Sequence, residues 1–106
     1  MQSHVANIFA MRLRIARKAK KLSQERLGIL AGIDESSASA RMNQYERGKH
    51  VPDFLTASKI AEVLDLPTAY FYIENELLAE ILVLSNGLNI EQRKQVIEYI
   101  HSLKEN

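Results

Sequence analysis

The chain has 106 residues, 46% of them hydrophobic, which is enough for one compact domain with a short appendage. It has no cysteine, which excludes disulfide and thiolate chemistry, and no apolar run approaches the roughly 20 residues that a membrane span needs. The first residues lack a charged-then-apolar signal pattern, so we expect a cytoplasmic protein with no membrane partner.

The net charge of +1 conceals an uneven distribution. Residues 1–51 carry ten Lys and Arg against four Asp and Glu, a net +6, whereas residues 52–106 carry four against nine, a net −5. A basic half is typical of a protein that places one end on a polyanion. Ordinary solvated helix faces also explain such charge. The charge distribution therefore does not indicate a nucleic-acid partner alone, but it supports one where a motif indicates it.

The first predicted helix begins at Asn7, which can cap a helix, and runs to about Lys21. Its apolar face consists of three residues at helical spacing: Phe9, Leu13 and Ala16. Basic side chains surround the other faces: Arg12, Arg14, Lys18, Lys20 and Lys21. Residues 1–6 have no periodic pattern, and we expect them to fray.

Two further helices joined by a tight turn follow. Ser23 can cap the first, and Leu27, Leu30 and Ala31 recur at the spacing of a buried face. Gly32 supplies the positive φ that ends such a helix.

Asp34 can cap the second helix, and Gly48 and Pro52 end it. Its buried face consists of Ala38, Met42 and Tyr45. The segments LSQERLGILAGI and YERGKHVP in this region resemble the helix-turn-helix domain of the Cro/repressor (Xre) type, over residues 11–71 approximately. The resemblance implies an all-α fold, with a five-helix DNA-binding domain at residues 7–73.

One departure from that family pattern is the spacing from Gly32 to Glu46, which is fourteen positions where the family usually has ten. Four residues are about one turn of α-helix. Either the second helix is one turn longer, or a serine-rich loop precedes a helix of ordinary length. The register of the buried face back to Asp34 favours the longer helix.

The outward face of this second helix is the predicted DNA-reading surface, because short and amide side chains let a helix enter the major groove. The candidate base contacts are Ser36, Ser37, Ser39, Ala40, Arg41, Asn43 and Gln44. The candidate phosphate contacts are Gln24, Arg26, Arg47, Lys49 and His50. The resemblance implies the phosphate role of Gln24, and also an ion pair between Arg17 and Glu46.

After the motif, Asp53 can cap a helix over residues 54–64, whose apolar residues we expect to pack toward the motif: Leu55, Ile60, Ala61 and Leu64. A short fifth helix starts near Pro67 and carries three aromatics, Tyr70, Phe71 and Tyr72. Aromatics can stack on nucleic-acid bases. Their place in the acidic half favours core packing instead.

Residues 74–106 are predicted to form a helical hairpin outside the resemblance. Asn86 and Gly87 end its first helix, and Asn89 with Gln92 resembles a capping box for its second. The hairpin has more apolar surface than one partner helix can cover, so we expect it to make a homodimer. The predicted dimer contacts are Leu77, Leu78, Ile81, Leu82, Leu84, Val96, Ile97, Ile100 and Leu103.

No residue set predicts catalysis, a metal or a cofactor. The three histidines, His4, His50 and His101, form no spaced ligand set, and no glycine-rich phosphate loop is present. The sequence therefore predicts a non-enzymatic regulator, a repressor that binds double-stranded DNA as a homodimer. The alternative is an antitoxin-like module that binds a protein partner through its hairpin and also binds DNA.

Overall fold

A computed structural model describes residues 3–105, which fold into six α-helices and one 3-10 helix without a strand. The α-helices are α1 (His4–Ala19), α2 (Gln24–Leu30), α3 (Glu35–Glu46), α4 (Phe54–Val63), α5 (Glu76–Asn86) and α6 (Ile90–Lys104). The predicted fifth helix of the domain is the 3-10 helix, Thr68–Tyr72. The all-α fold predicted from the sequence is confirmed.

Helix α1 begins one turn earlier than the sequence predicts. The Ser3 side chain accepts a hydrogen bond from the Ala6 N–H at 3.0 Å and caps the helix, so the prediction of an Asn7 cap was wrong. Burial of Ala6 against the domain holds this extra turn in place, so residues 3–6 do not fray as predicted. The same prediction for Met1 and Gln2 lies outside the described residues.

Helices α2 and α3 meet at the tight turn that the sequence predicts. Gly32 has a φ of +91°, and the N–H groups of Gly32 and Ile33 donate to the carbonyls of Ile29 and Gly28. This is the Schellman arrangement that ends a helix at a left-handed residue. Helix α3 starts directly after Asp34, so the prediction of a helix lengthened by one turn is correct.

Gly28 allows α2 and α3 to pack closely. A Cβ atom at this position would lie 2.9 Å from the Ala38 Cβ and 3.0 Å from the Met42 Cγ. Leu30 was predicted on the buried face of α2 but is 45% exposed. It lies at the edge of the α2 face whose centre Leu27 and Ala31 occupy, so that prediction was wrong.

The core lies between α1, the motif helices, α4 and the 3-10 helix. Phe9 and Phe71 are fully buried with ring centroids 4.9 Å apart, as expected for aromatics that pack in the core. The buried stripe of α4 consists of Ala57, Ile60, Ala61 and Leu64. Leu55 was predicted to join this stripe but is 63% exposed. It lies two residues before Ala57, whereas residues on one face of a helix are three or four apart.

The two C-terminal helices form at the predicted positions, and the Asn89–Gln92 capping box is present. Gly87 ends α5 with a φ of −84°, so it does not use the left-handed conformation. Arg93 ties the turn together by donating to the Ser85 and Asn86 carbonyls. None of the described residues of α6 is buried, so the two helices of the predicted hairpin form an open pair.

Candidate nucleic-acid interface

The outer face of α3 presents short polar side chains to solvent. Ser39, Ala40 and Gln44 are exposed, and Asn43 is half-buried beside them. Among residues 3–105, neither Ser39 nor Gln44 uses its side chain in a hydrogen bond. These groups are therefore available to base edges in a major groove.

The other three predicted base contacts are held by the protein itself. The Ser36 hydroxyl and N–H both donate to the Asp34 carboxylate, and the Ser37 hydroxyl donates to the Asp34 carbonyl at 3.3 Å. The Ser36 bonds lower the pKa of the exposed Asp34 carboxyl. Arg41 donates to the Tyr45 hydroxyl at 2.8 Å, with its guanidinium 5.9 Å from the ring centroid.

A polar network joins α1, α2 and the end of α3. Arg17 donates to both oxygens of Glu46, from Nε at 2.5 Å and from Nη2 at 3.0 Å, and Glu46 is only 3% exposed. The hydrogen bond to Glu46 raises the pKa of the Arg17 guanidinium. The Gln24 amide donates to Glu46 at 3.2 Å and to Asn43 at 3.4 Å. The network orients Gln24 and Asn43 beside each other at the edge of the α3 outer face.

Arg14 is a candidate phosphate contact that the sequence reasoning missed. It is exposed on α1, and its Nη1 donates to the Glu46 carbonyl at 2.5 Å, at the C-terminal end of α3. The sequence signal that could have identified Arg14 is its position three residues before Arg17, which places both side chains on one face of α1.

The remaining predicted phosphate contacts are exposed and lie on α2, at the end of α3 or just after it. Arg26 is exposed on α2, and Arg47 is exposed at the end of α3. Lys49 and His50 are exposed after Gly48, whose φ of +72° turns the chain away from α3. A helix with short polar side chains and a basic border has the layout of a major-groove reader.

The described part of the chain holds no group of three or more His, Cys, Asp or Glu that could bind a metal ion. Within residues 3–105, no helix is both long and apolar enough to cross a membrane.

Comparison with known proteins agrees with this class of fold. The family model "Helix-turn-helix" (HTH_3) matches residues 13–71, more than half of the chain. The chain therefore belongs to the helix-turn-helix family of DNA-binding transcriptional regulators.

A solved structure, "Crystal structure of transcriptional regulator BswR", has 43% sequence identity and a TM-score of 0.78. The match covers 88% of this chain and 92% of that chain, so the similarity extends beyond the family domain into α5 and α6. The search of curated proteins found no match.

Proposed function

We propose that the protein is a sequence-specific transcriptional repressor that binds a two-fold DNA operator as a homodimer. The observation that carries the proposal is the outer face of α3, where Ser39, Ala40, Asn43 and Gln44 form a short polar surface. Lys49 and His50 would then contact phosphates and fix the position of α3 in the groove. A dimer bound over a promoter would exclude RNA polymerase, which is the simplest route to repression.

Base reading by Asn43 and Gln44 is the first part to test. An amide that contacts adenine N6 and N7 together contributes about 1–3 kcal/mol of discrimination. Asn43→Ala or Gln44→Ala should therefore weaken binding to a selected operator and leave binding to unrelated DNA nearly unchanged. Glu62→Ala, an exposed change on α4, is the control. Parent-like operator affinity in both amide variants would refute this assignment.

Dimerisation is supported by the apolar surface that α5 and α6 leave exposed. Seven of the nine predicted dimer contacts are exposed: Leu77, Leu78, Ile81, Leu84, Ile97, Ile100 and Leu103. Leu82 and Val96 are half-buried. A helix the length of α6 is marginal in isolation, and monomers rarely expose apolar patches above a few hundred Å². A second copy on a two-fold axis would cover this surface.

The chain offers a matched pair of variants to test the dimer. Leu84 is 67% exposed on α5, whereas Leu55 is 63% exposed on α4, outside the proposed contact. Leu84→Glu should convert a sedimenting dimer into a monomer, because it buries a charge in the contact. Leu55→Glu should remain a dimer. A parent protein that sediments as a monomer at micromolar concentration would contradict the proposal.

The same exposed surface supports the alternative of a protein-interaction module, such as an antitoxin. In that case α5 and α6 would bind a chain of different sequence. A monomeric parent that forms a stable heterocomplex in its native cell would favour this alternative. A homodimeric parent that forms no heterocomplex in its native cell would favour the repressor, since both candidates would bind DNA.

A further inference from the structure

Arg12 lies at the joint between the DNA-binding domain and the C-terminal helices. It is only 2% exposed, although its basic neighbours on α1 led the sequence analysis to place it on the solvated side. Its Nε donates to the Ile73 carbonyl at 2.9 Å and its Nη2 to the Glu74 carbonyl at 3.1 Å. Its Nη1 donates at 3.2 Å to Glu76 Oε2, on a side chain that is itself 74% exposed, so the two backbone carbonyls are the buried acceptors. One buried side chain therefore binds three positions of the segment that leads into α5.

The Arg12 guanidinium fixes both the position and the direction of the segment that leads into α5. Its planar fork presents donors at set angles, so the three acceptors are held together in one orientation. The Tyr70 ring lies 5.3 Å from the guanidinium carbon and confines it further. Apolar contacts also hold α5 against the domain, since Ala79 is buried and Leu82 and Val83 pack against the core.

The other ion pair at this joint has a different character. His4 Nε2 lies 2.9 Å from Glu74 Oε2, but both side chains are largely exposed. Exposed pairs contribute little because water screens them and both side chains lose entropy. The buried fork of Arg12 is therefore the polar contact that defines how α5 leaves the domain.

We propose that Arg12 sets the angle between the DNA-binding domain and α5, and so determines which operator half-site spacing the dimer accepts. The inference rests on the proposed homodimer. Helix α5 has 11 residues and is about 16 Å long, so a tilt of roughly 10° moves its far end by about 3 Å. That displacement is close to the rise of one base pair, about 3.4 Å. Arg12 is accordingly a positioning residue that acts without contacting DNA.

The test measures affinity against half-site spacing with the full-length protein. The probes are the operator selected from random DNA, versions with one or two base pairs added or removed at its centre, and a duplex with a single half-site. The proteins are the parent, Arg12→Met, Arg12→Lys and the control Glu74→Gln. Sedimentation and melting curves establish that each variant is a folded dimer.

The parent should lose about tenfold or more in affinity for each base pair of altered spacing, since bivalent binding fails when geometry prevents both contacts. Arg12→Met should reduce this preference to less than about threefold while its single half-site affinity stays unchanged. Arg12→Lys should fall between, because an ammonium cannot reproduce the fork. Glu74→Gln should match the parent.

A folded, dimeric Arg12→Met with the parent's spacing profile would overturn the role of Arg12 and leave the homodimer intact. If Arg12→Met does not fold, Arg12→Lys with the parent's profile overturns it in the same way. A parent that binds paired and single half-sites equally would instead refute the proposed dimeric function, and the role of Arg12 with it.

Discussion

Replacing Glu46 with alanine should strongly destabilise the protein, because it leaves the Arg17 guanidinium without its carboxylate. Breaking a buried ion pair from one side costs about 3–5 kcal/mol. The Arg17 side chain is 14% exposed and also donates to the Leu22 carbonyl at 2.8 Å, so we expect the lower end, about 3 kcal/mol. For a chain of this size, that loss lowers the melting temperature by roughly 12–24 °C.

The assays are thermal melting and urea denaturation, both followed by circular dichroism and performed as a double-mutant cycle. Arg17→Met with Glu46→Leu should recover part of the loss, because no buried charge remains. Glu62→Ala, which removes an exposed acid from α4, should change stability by less than about 0.5 kcal/mol. A Glu46→Ala protein that melts within about 3 °C of the parent would refute the argument that this pair is buried and coupled.

Gly28→Ala should destabilise the fold, because overpacking against Ala38 costs about 1–3 kcal/mol and the roughly 1 kcal/mol gained in helix propensity offsets only the low end of that range. Lys49→Ala should weaken binding to any DNA and reduce the log–log salt slope by about 1. Folding lowers the pKa of the Asp34 and Asp53 carboxyls below 3.8, so their stabilisation is complete above that value and is lost as the pH falls further.

Each of these predictions has a control. Gly87→Ala should be neutral or stabilising, since no atom lies within 4 Å of the added Cβ, and equal losses at both glycines would contradict the packing argument. Lys59→Ala on α4 should leave the salt slope unchanged, whereas an unaltered slope in Lys49→Ala would exclude a phosphate contact there. The double variant Asp34→Asn with Asp53→Asn should reduce the pH dependence of the urea midpoint below about pH 4. A midpoint that still falls with pH as in the parent would show that other groups cause the acid sensitivity.

The sequence predicted the features that depend on neighbours in the chain. The length of α3 could be predicted from three local signals. These are the cap at Asp34, the left-handed Gly32 and the helical spacing of Ala38, Met42 and Tyr45. The Arg17–Glu46 pair was implied by a family pattern, and the structure contains that contact. Local chemistry and a known motif were sufficient for these elements.

The remaining features depend on contacts between distant parts of the chain. Arg12 has the same sequence signature as its solvated basic neighbours, and only the path of residues 73–76 explains its burial. The contact of Arg14 with the Glu46 carbonyl depends on where α3 ends against α1. Apolar spacing in α5 and α6 indicated that both helices bury a face, but it could not distinguish a closed hairpin from an open pair that presents that face outward.

Selection of bound sequences from random double-stranded DNA tests whether α3 reads bases for a two-fold dimer. We predict enrichment of a palindrome whose half-site centres lie about 10–10.5 base pairs apart, or a multiple of that distance. With Gln44→Ala, the selected motif should lose information at the same position in both half-sites. Selection that enriches no sequence above the input pool, or only a single unrepeated site, would show that α3 does not read bases for a two-fold dimer.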